Sequence, residues 1–84
     1  MTYRVEFTDA AERSFDALDG AVRSRISRAL SRLAEAPRQS ANVKALTGGD
    51  YRLRVGDWRV IYALHDDVLM VLVLRVGHRR DVYR

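Results

Sequence analysis

The stretch "YRLRVGDWRVIY", residues 51–62, constrains this chain more than any other. Two runs of alternating character meet at Gly56-Asp57, a dipeptide suited to a two-residue hairpin turn. With that pair as the loop, Val55 lies opposite Trp58 and Arg54 lies opposite Arg59. Opposed residues share a face, and so do alternate residues along a strand. One face is then Tyr51, Leu53, Val55, Trp58, Val60, Tyr62 and Leu64. It is wholly apolar or aromatic and must be buried against another layer. The other face carries Asp50, Arg52, Arg54, Arg59, Ile61, Ala63 and His65. Three arginines stand together there, at a local cost of roughly several tenths of a kcal/mol. Either Asp50, Asp57 or Asp66 neutralises them, or the cluster awaits an anion.

The rest of the chain supplies the layer that the apolar face needs. "TYRVEF" alternates as a short strand, and Thr8 or Asp9 then caps a helix with Glu12 in its first turn. Ala11, Phe15 and Leu18 fall on one side of that helix, and "LDG" interrupts it at Gly20. A second helix is predicted from Ala21 to Ala36. Val22, Ile26, Ala29, Leu30 and Leu33 form its apolar stripe, and Pro37 ends it. The short break between the two helices makes an αα-hairpin. Arg25, Arg28 and Arg32 form an outward basic stripe on the second helix, a solvated face that is also open to RNA.

"PRQSANVKALTGGD" reads as a connecting segment and holds the single proline, a Gly48-Gly49 pair and the single lysine, Lys44. Three strands follow, Asp50 to Val55, Trp58 to His65 and Val68 to Val76. The last is apolar on both faces, so it is expected in the sheet interior, between the third strand and the first. The predicted fold is α+β, in the order β-α-α-β-β-β. A helical hairpin packs on one face of a small, mainly antiparallel sheet, and residues 1–84 form one domain.

That interior strand runs into "RVGHRRDVYR", with four arginines and a single acid. If this tail bends onto the arginine face, His78, Arg79 and Tyr83 join Arg52, Arg54 and Arg59. The formal charge of +4 and a pI near 10.1 point the same way, towards a polyanionic partner. Of the fifteen basic residues all but Lys44 are arginine, the residue suited to bidentate phosphate recognition and to stacking.

Other chemistries lack their residues. There is no cysteine, so neither disulfides nor thiolate chemistry arise, which fits a reducing compartment. Two histidines do not make a zinc site, no cofactor is expected, and HExxH, P-loop and GxSxG patterns are missing. No N-terminal stretch reads as a signal peptide, and the longest apolar run, Val68 to Leu74, is far shorter than a membrane span. Arginines with a histidine and a tyrosine suit phosphodiester chemistry instead. RNA cleavage needs the 2′-oxygen deprotonated, the phosphorane stabilised and the 5′-oxygen protonated. Preorganised cations serve the second need, histidine serves proton transfer, and an aromatic ring stacks on an unstacked base.

The strand order, the helix end "APR", the hairpin "YRLRVGDWRVIY" and the closing "VGHRRDVY" together resemble the RelE/ParE superfamily of bacterial toxins, over nearly the whole chain. The pattern is closer to RelE-type mRNA interferases. Their alternating basic residues match Arg52 and Arg54, their third-strand arginine matches Arg59, and the basic residue and tyrosine after the last strand match Arg79 and Tyr83. The resemblance implies a cytoplasmic bacterial toxin that cleaves mRNA in the ribosomal A site by 2′-oxygen attack, without metal or cofactor. It also implies neutralisation by an acidic, RelB-like antitoxin and no role at a membrane. Lys44 joins Arg25, Arg28 and Arg32 as expected RNA-binding residues. RelE-type enzymes can carry lysines at the positions of Arg52 and Arg54, and a lysine has been assigned the role of base. An arginine cannot be deprotonated in a protein, so His78 becomes the titrating candidate here. The alternative is a ParE-like inhibitor of DNA gyrase that acts by binding alone.

Overall fold

A computed structural model describes residues 2–83. Strand β1 (Arg4–Phe7) leads into helix α1 (Asp9–Asp16), where the Thr8 hydroxyl accepts from the Ala11 N–H at 3.2 Å. Helix α2 (Gly20–Leu33) follows after three residues, capped by the Asp19 carboxylate on the Ala21 N–H at 3.2 Å. It ends earlier than predicted. Ala34 keeps right-handed backbone geometry but it and Glu35 continue only as turns, and Pro37 disfavours helical geometry at Ala36, the residue before it.

Strands β2 (Val43–Ala45), β3 (Tyr51–Val55), β4 (Trp58–His65) and β5 (Met70–His78) complete a sheet of order β1-β5-β4-β3-β2. β1 and β5 are parallel and the other pairs antiparallel, so β5 lies inside the sheet between β4 and β1, as expected. β2 was not predicted. It lies in the connecting segment, too short to show alternation, and forms because β3 offers it an edge. Gly48 and Gly49, both at positive φ, let the chain reverse between the two. A 3₁₀ turn at Asp66–Val68 and Leu69 at φ 49° join β4 to β5, so β5 starts at Met70 rather than Val68.

Register follows the hairpin derivation. Val55 pairs with Trp58, Arg54 with Arg59, Leu53 with Val60 and Arg52 with Ile61. Ala11 of α1 and Ile26, Leu30 and Leu33 of α2 bury against Leu53, Val60, Tyr62, Val71, Val73 and Val76. Each large aliphatic side chain so buried contributes about 1.5–3 kcal/mol. Tyr62 sits at the centre, and its hydroxyl donates to the Pro37 carbonyl at 2.6 Å, which ties the end of the helical layer to the sheet.

A single irregularity sets the facing of the last strand. Ile61 pairs with Arg75 but Tyr62 pairs with Val73, so Leu74 is an extra residue in β5. A strict two-residue period from Val71 and Val73 would drive Arg75 into the core. The bulge shifts the parity, sends Val76 inward, and turns Arg75 to the face that carries Arg52 and Arg59.

Candidate nucleic-acid interface

The sheet face away from the helices is a short grid of cations. Cross-strand pairing sets Lys44, Arg52, Ile61 and Arg75 in one row across β2 to β5, and Arg54, Arg59 and Gly77 in the next. Directly opposed side chains lie roughly 5 Å apart at Cβ. The field of this face is strongly positive, and Ile61, 7% exposed, forms its apolar floor.

Beyond β5 the chain turns back over this grid. The His78 carbonyl accepts from the N–H groups of Asp81 at 2.8 Å and Val82 at 3.0 Å. Val82 is buried and lies 3.6 Å from where a Cβ on Gly77 would stand. Arg75 Nη1 donates to the Val82 carbonyl at 3.1 Å. The turn thus delivers Tyr83, largely exposed, with its hydroxyl 3.4 Å from Arg52 Nη1. Arg84, the last residue of the tail, lies outside the described residues.

The three acids that stood closest in sequence do not neutralise the cluster. Asp66, at the other end of β4 from Arg59, is bound by Arg38 and by the Tyr3 hydroxyl. Asp57 lies 3.8 Å from Arg79 at the hairpin tip. Among the described residues no carboxylate pairs with Arg52, Arg54 or Arg59. Arg52 Nε is buried with no hydrogen-bond partner, an orphaned donor on the face of highest positive charge. Arg59 is braced by donating from Nη1 to the carbonyls of Gly56 at 2.9 Å and Trp58 at 3.0 Å.

The structure brings Tyr83 to Arg52 and sets Arg79 at the hairpin tip. It does not bring His78. That residue pairs with Trp58, on the parity of Val60 and Val76, and its ring meets the Trp58 indole edge-on at 5.5 Å. Its Nδ1 accepts from the Arg80 N–H at 3.3 Å. The expectation that His78 stands with the arginines is therefore corrected. The bulge at Leu74 inverts the facing of every later residue of β5, so the histidine falls on the helix side. The same bulge brings in Arg75, which reading the sequence overlooked. Its signal was a charge at a core parity, since a buried strand does not accept an arginine without a shift of register.

The α2 stripe is not simply solvated. β2 pairs with β3 as far as Leu53, the Arg54 N–H still donates to the Asn42 carbonyl at 3.0 Å, and Arg25, Arg28 and Arg32 lie beside this end of β3. With Arg54, Ser40 and Asn42 they line a groove of about 330 Å³. Arg25 lies so close over Gly56 that a Cβ there would meet its guanidinium at 2.6 Å, and Gly56 is at φ 60°. Lys44, Arg52, Arg54 and Asn42 border a second hollow of about 190 Å³, so Arg54 is common to both.

A family model described as "ParE toxin of type II toxin-antitoxin system, parDE" matches residues 5–83. The chain belongs to the RelE/ParE family of type II toxins. Within that family it is 31% identical over 86 residues to Toxin RelG of Mycobacterium tuberculosis, covering 100% of this chain and 99% of that relative. Its fold matches the toxin–antitoxin complex RelBE2 of the same organism with a TM-score of 0.83 and 29% identity, over 94% of this chain and 100% of that one. The intact Escherichia coli RelBE complex matches at a TM-score of 0.77 and 30% identity, over 90% and 95% of the two chains. The two helices on a five-stranded mixed sheet are thus the fold of the RelE toxins.

Proposed function

We propose that this toxin is a ribosome-dependent endoribonuclease that cuts mRNA and is silenced by an acidic, RelB-like antitoxin. The observation that carries the reading is the cluster of Arg52, Arg54 and Arg59, without a carboxylate partner and with Tyr83 at its border. The phosphodiester backbone of RNA supplies the negative charge that the protein withholds. Solved relatives held in complexes with RelB antitoxins support the partner, and an mRNA target implies the bacterial cytoplasm.

In this mechanism the 2′-hydroxyl gives up its proton to water as its oxygen attacks the adjacent phosphorus, the 5′-oxygen leaves and takes a proton from water, and a 2′,3′-cyclic phosphate remains. The guanidinium groups of Arg52, Arg54 and Arg59, with Arg79 at the tip, bind the phosphate and stabilise the added negative charge of the phosphorane, usually the largest single effect. Tyr83 stacks on a base adjoining the cut. Arg25, Arg28, Arg32 and Lys44 hold flanking phosphates. No arginine accepts a proton at neutral pH, and His78 stands across the sheet from the cluster. The chain's contribution is therefore charge stabilisation and alignment, with alignment of the mRNA by the ribosome adding to the rate.

The matching family model is described as a ParE toxin, which keeps a second reading in play, the ParE-like inhibition of DNA gyrase by binding alone that the sequence resemblance offers as the alternative. Induction in bacterial cells separates the two. Primer extension on a reporter mRNA is expected to show codon-spaced cuts without an SOS response, and Arg59→Ala is expected to abolish the cuts and relieve growth arrest while the domain stays folded. Intact mRNA together with SOS induction replaces this reading with the second.

A further inference from the structure

The arginine face holds one cation whose position suggests a different task. Arg75 reaches that face only through the bulge at Leu74, and its Nη1 donates at 3.1 Å to the Val82 carbonyl rather than pointing into open solvent. Val82 is 5% exposed and rests over Gly77, the position opposite Arg59. With a side chain larger than methyl at residue 77, Val82 has no seat. The next residue is Tyr83, which touches Arg52.

We propose that Arg75 and Gly77 form the seat of a C-terminal strap, in which Arg75 is a positioning residue that acts on the RNA reaction through Tyr83. The inference rests on the mRNA-cleavage function and deepens it by assigning roles that family resemblance did not carry. The physical reason is entropy. A tyrosine near a chain end is ordinarily free, and ordering it only when RNA arrives costs binding energy. The strap settles this ordering during folding. Two N–H groups close on the His78 carbonyl, one guanidinium closes on the Val82 carbonyl, and one valine packs over Gly77, where only a side chain no larger than methyl leaves it room.

The test separates positioning from direct phosphate contact. Arg75→Met keeps the aliphatic stem and removes the donor. Amide hydrogen exchange at Asp81 and Val82 is expected to accelerate by about tenfold or more. Ribosome-dependent cleavage in a purified translation mixture is expected to fall to the level of Tyr83→Ala. In a Tyr83→Ala background, Arg75→Met is expected to add less than about twofold, because both changes remove one device. Gly77→Val supplies an independent variant that dislodges Val82 while leaving Arg75 in place, and it should give the same exchange and the same non-additivity.

Additive losses would mean that Arg75 meets RNA itself, and would overturn the proposal. So would unchanged exchange at Asp81 and Val82 in both variants. Faster exchange with full cleavage would also overturn it, since the strap would then have no part in the reaction. If the wild-type toxin cuts no mRNA in the same mixture, the reading of the function fails as well, a result distinct from the other three.

Discussion

Arg38 and Arg52 each hold a tyrosine hydroxyl, yet their surroundings make them opposites. Arg38 donates from Nε to Tyr51 at 3.1 Å, grips both oxygens of Asp66, and lies 5.8 Å over the Tyr51 ring. Tyr3 completes the group by donating to Asp66 at 2.6 Å. This clasp joins the residue before β1, the segment after α2, β3 and the turn after β4. Arg38, with help from Tyr3, holds the Asp66 carboxyl below the ordinary carboxylate range, and Asp66 in turn raises the Tyr3 phenol. Arg52 has Tyr83 at 3.4 Å, a buried Nε with no acceptor, and arginines as neighbours. An arginine with an acid in reach becomes a fastening. The same residue without one retains its field for a ligand.

The sharpest way to break that contrast is to remove one arginine from each group. Arg54→Ala is expected to lower ribosome-dependent cleavage about 100-fold. Thermal stability should hold or rise slightly, because its repulsion with Arg59 is relieved. Arg38→Met should do the reverse, lowering the melting temperature while cleavage persists. Equal losses of activity in both would erase the distinction between fastening and site.

A smaller effect is expected in the core beside the clasp. Tyr62→Phe leaves the Pro37 carbonyl without its buried donor. Denaturant unfolding should show a loss of about 1–2 kcal/mol, with cleavage unchanged. A stability equal to wild type would indicate that water replaces the phenol there.

The smallest effect is confined to acid. Because the folded pKa of Asp66 is depressed, its contribution to stability is complete above the unfolded carboxylate value of about 3.9. That contribution is lost as pH falls through the folded value. Melting temperatures followed from neutral pH down to about pH 2 should therefore converge for wild type and Asp66→Asn at the acid end. Parallel curves would mean that the clasp carries no proton linkage.

Much of the fold was legible in the chain before its structure was known. The hairpin turn and strict alternation dictated which residues of β3 and β4 are core and which stand outward. That is why Arg52, Arg54 and Arg59 emerged together, and why β5, apolar on both faces, belonged inside the sheet. What stayed hidden was whatever depended on a neighbour. β2 is three residues with a lysine at its centre, and it exists only because β3 has an edge to pair. The three α2 arginines read as a solvated stripe, and only the packing of α2 beside the end of β3 sets them on a groove.

The chain's own pattern of apolar and charged residues thus determined the helical layer, the sheet interior and a cationic outer face. A period of two and a two-residue loop leave those choices almost no freedom. Tertiary structure alone decided the facing of the last strand. One extra residue at Leu74 reverses the side on which each later side chain lies. It carried His78 away from the arginines, turned Arg75 among them, and opened at Gly77 the place where Val82 rests. Arg75 at a core parity signals that the register must shift, but the local pattern does not say at which residue, because only burial of the neighbouring strands makes one parity cheaper than the other.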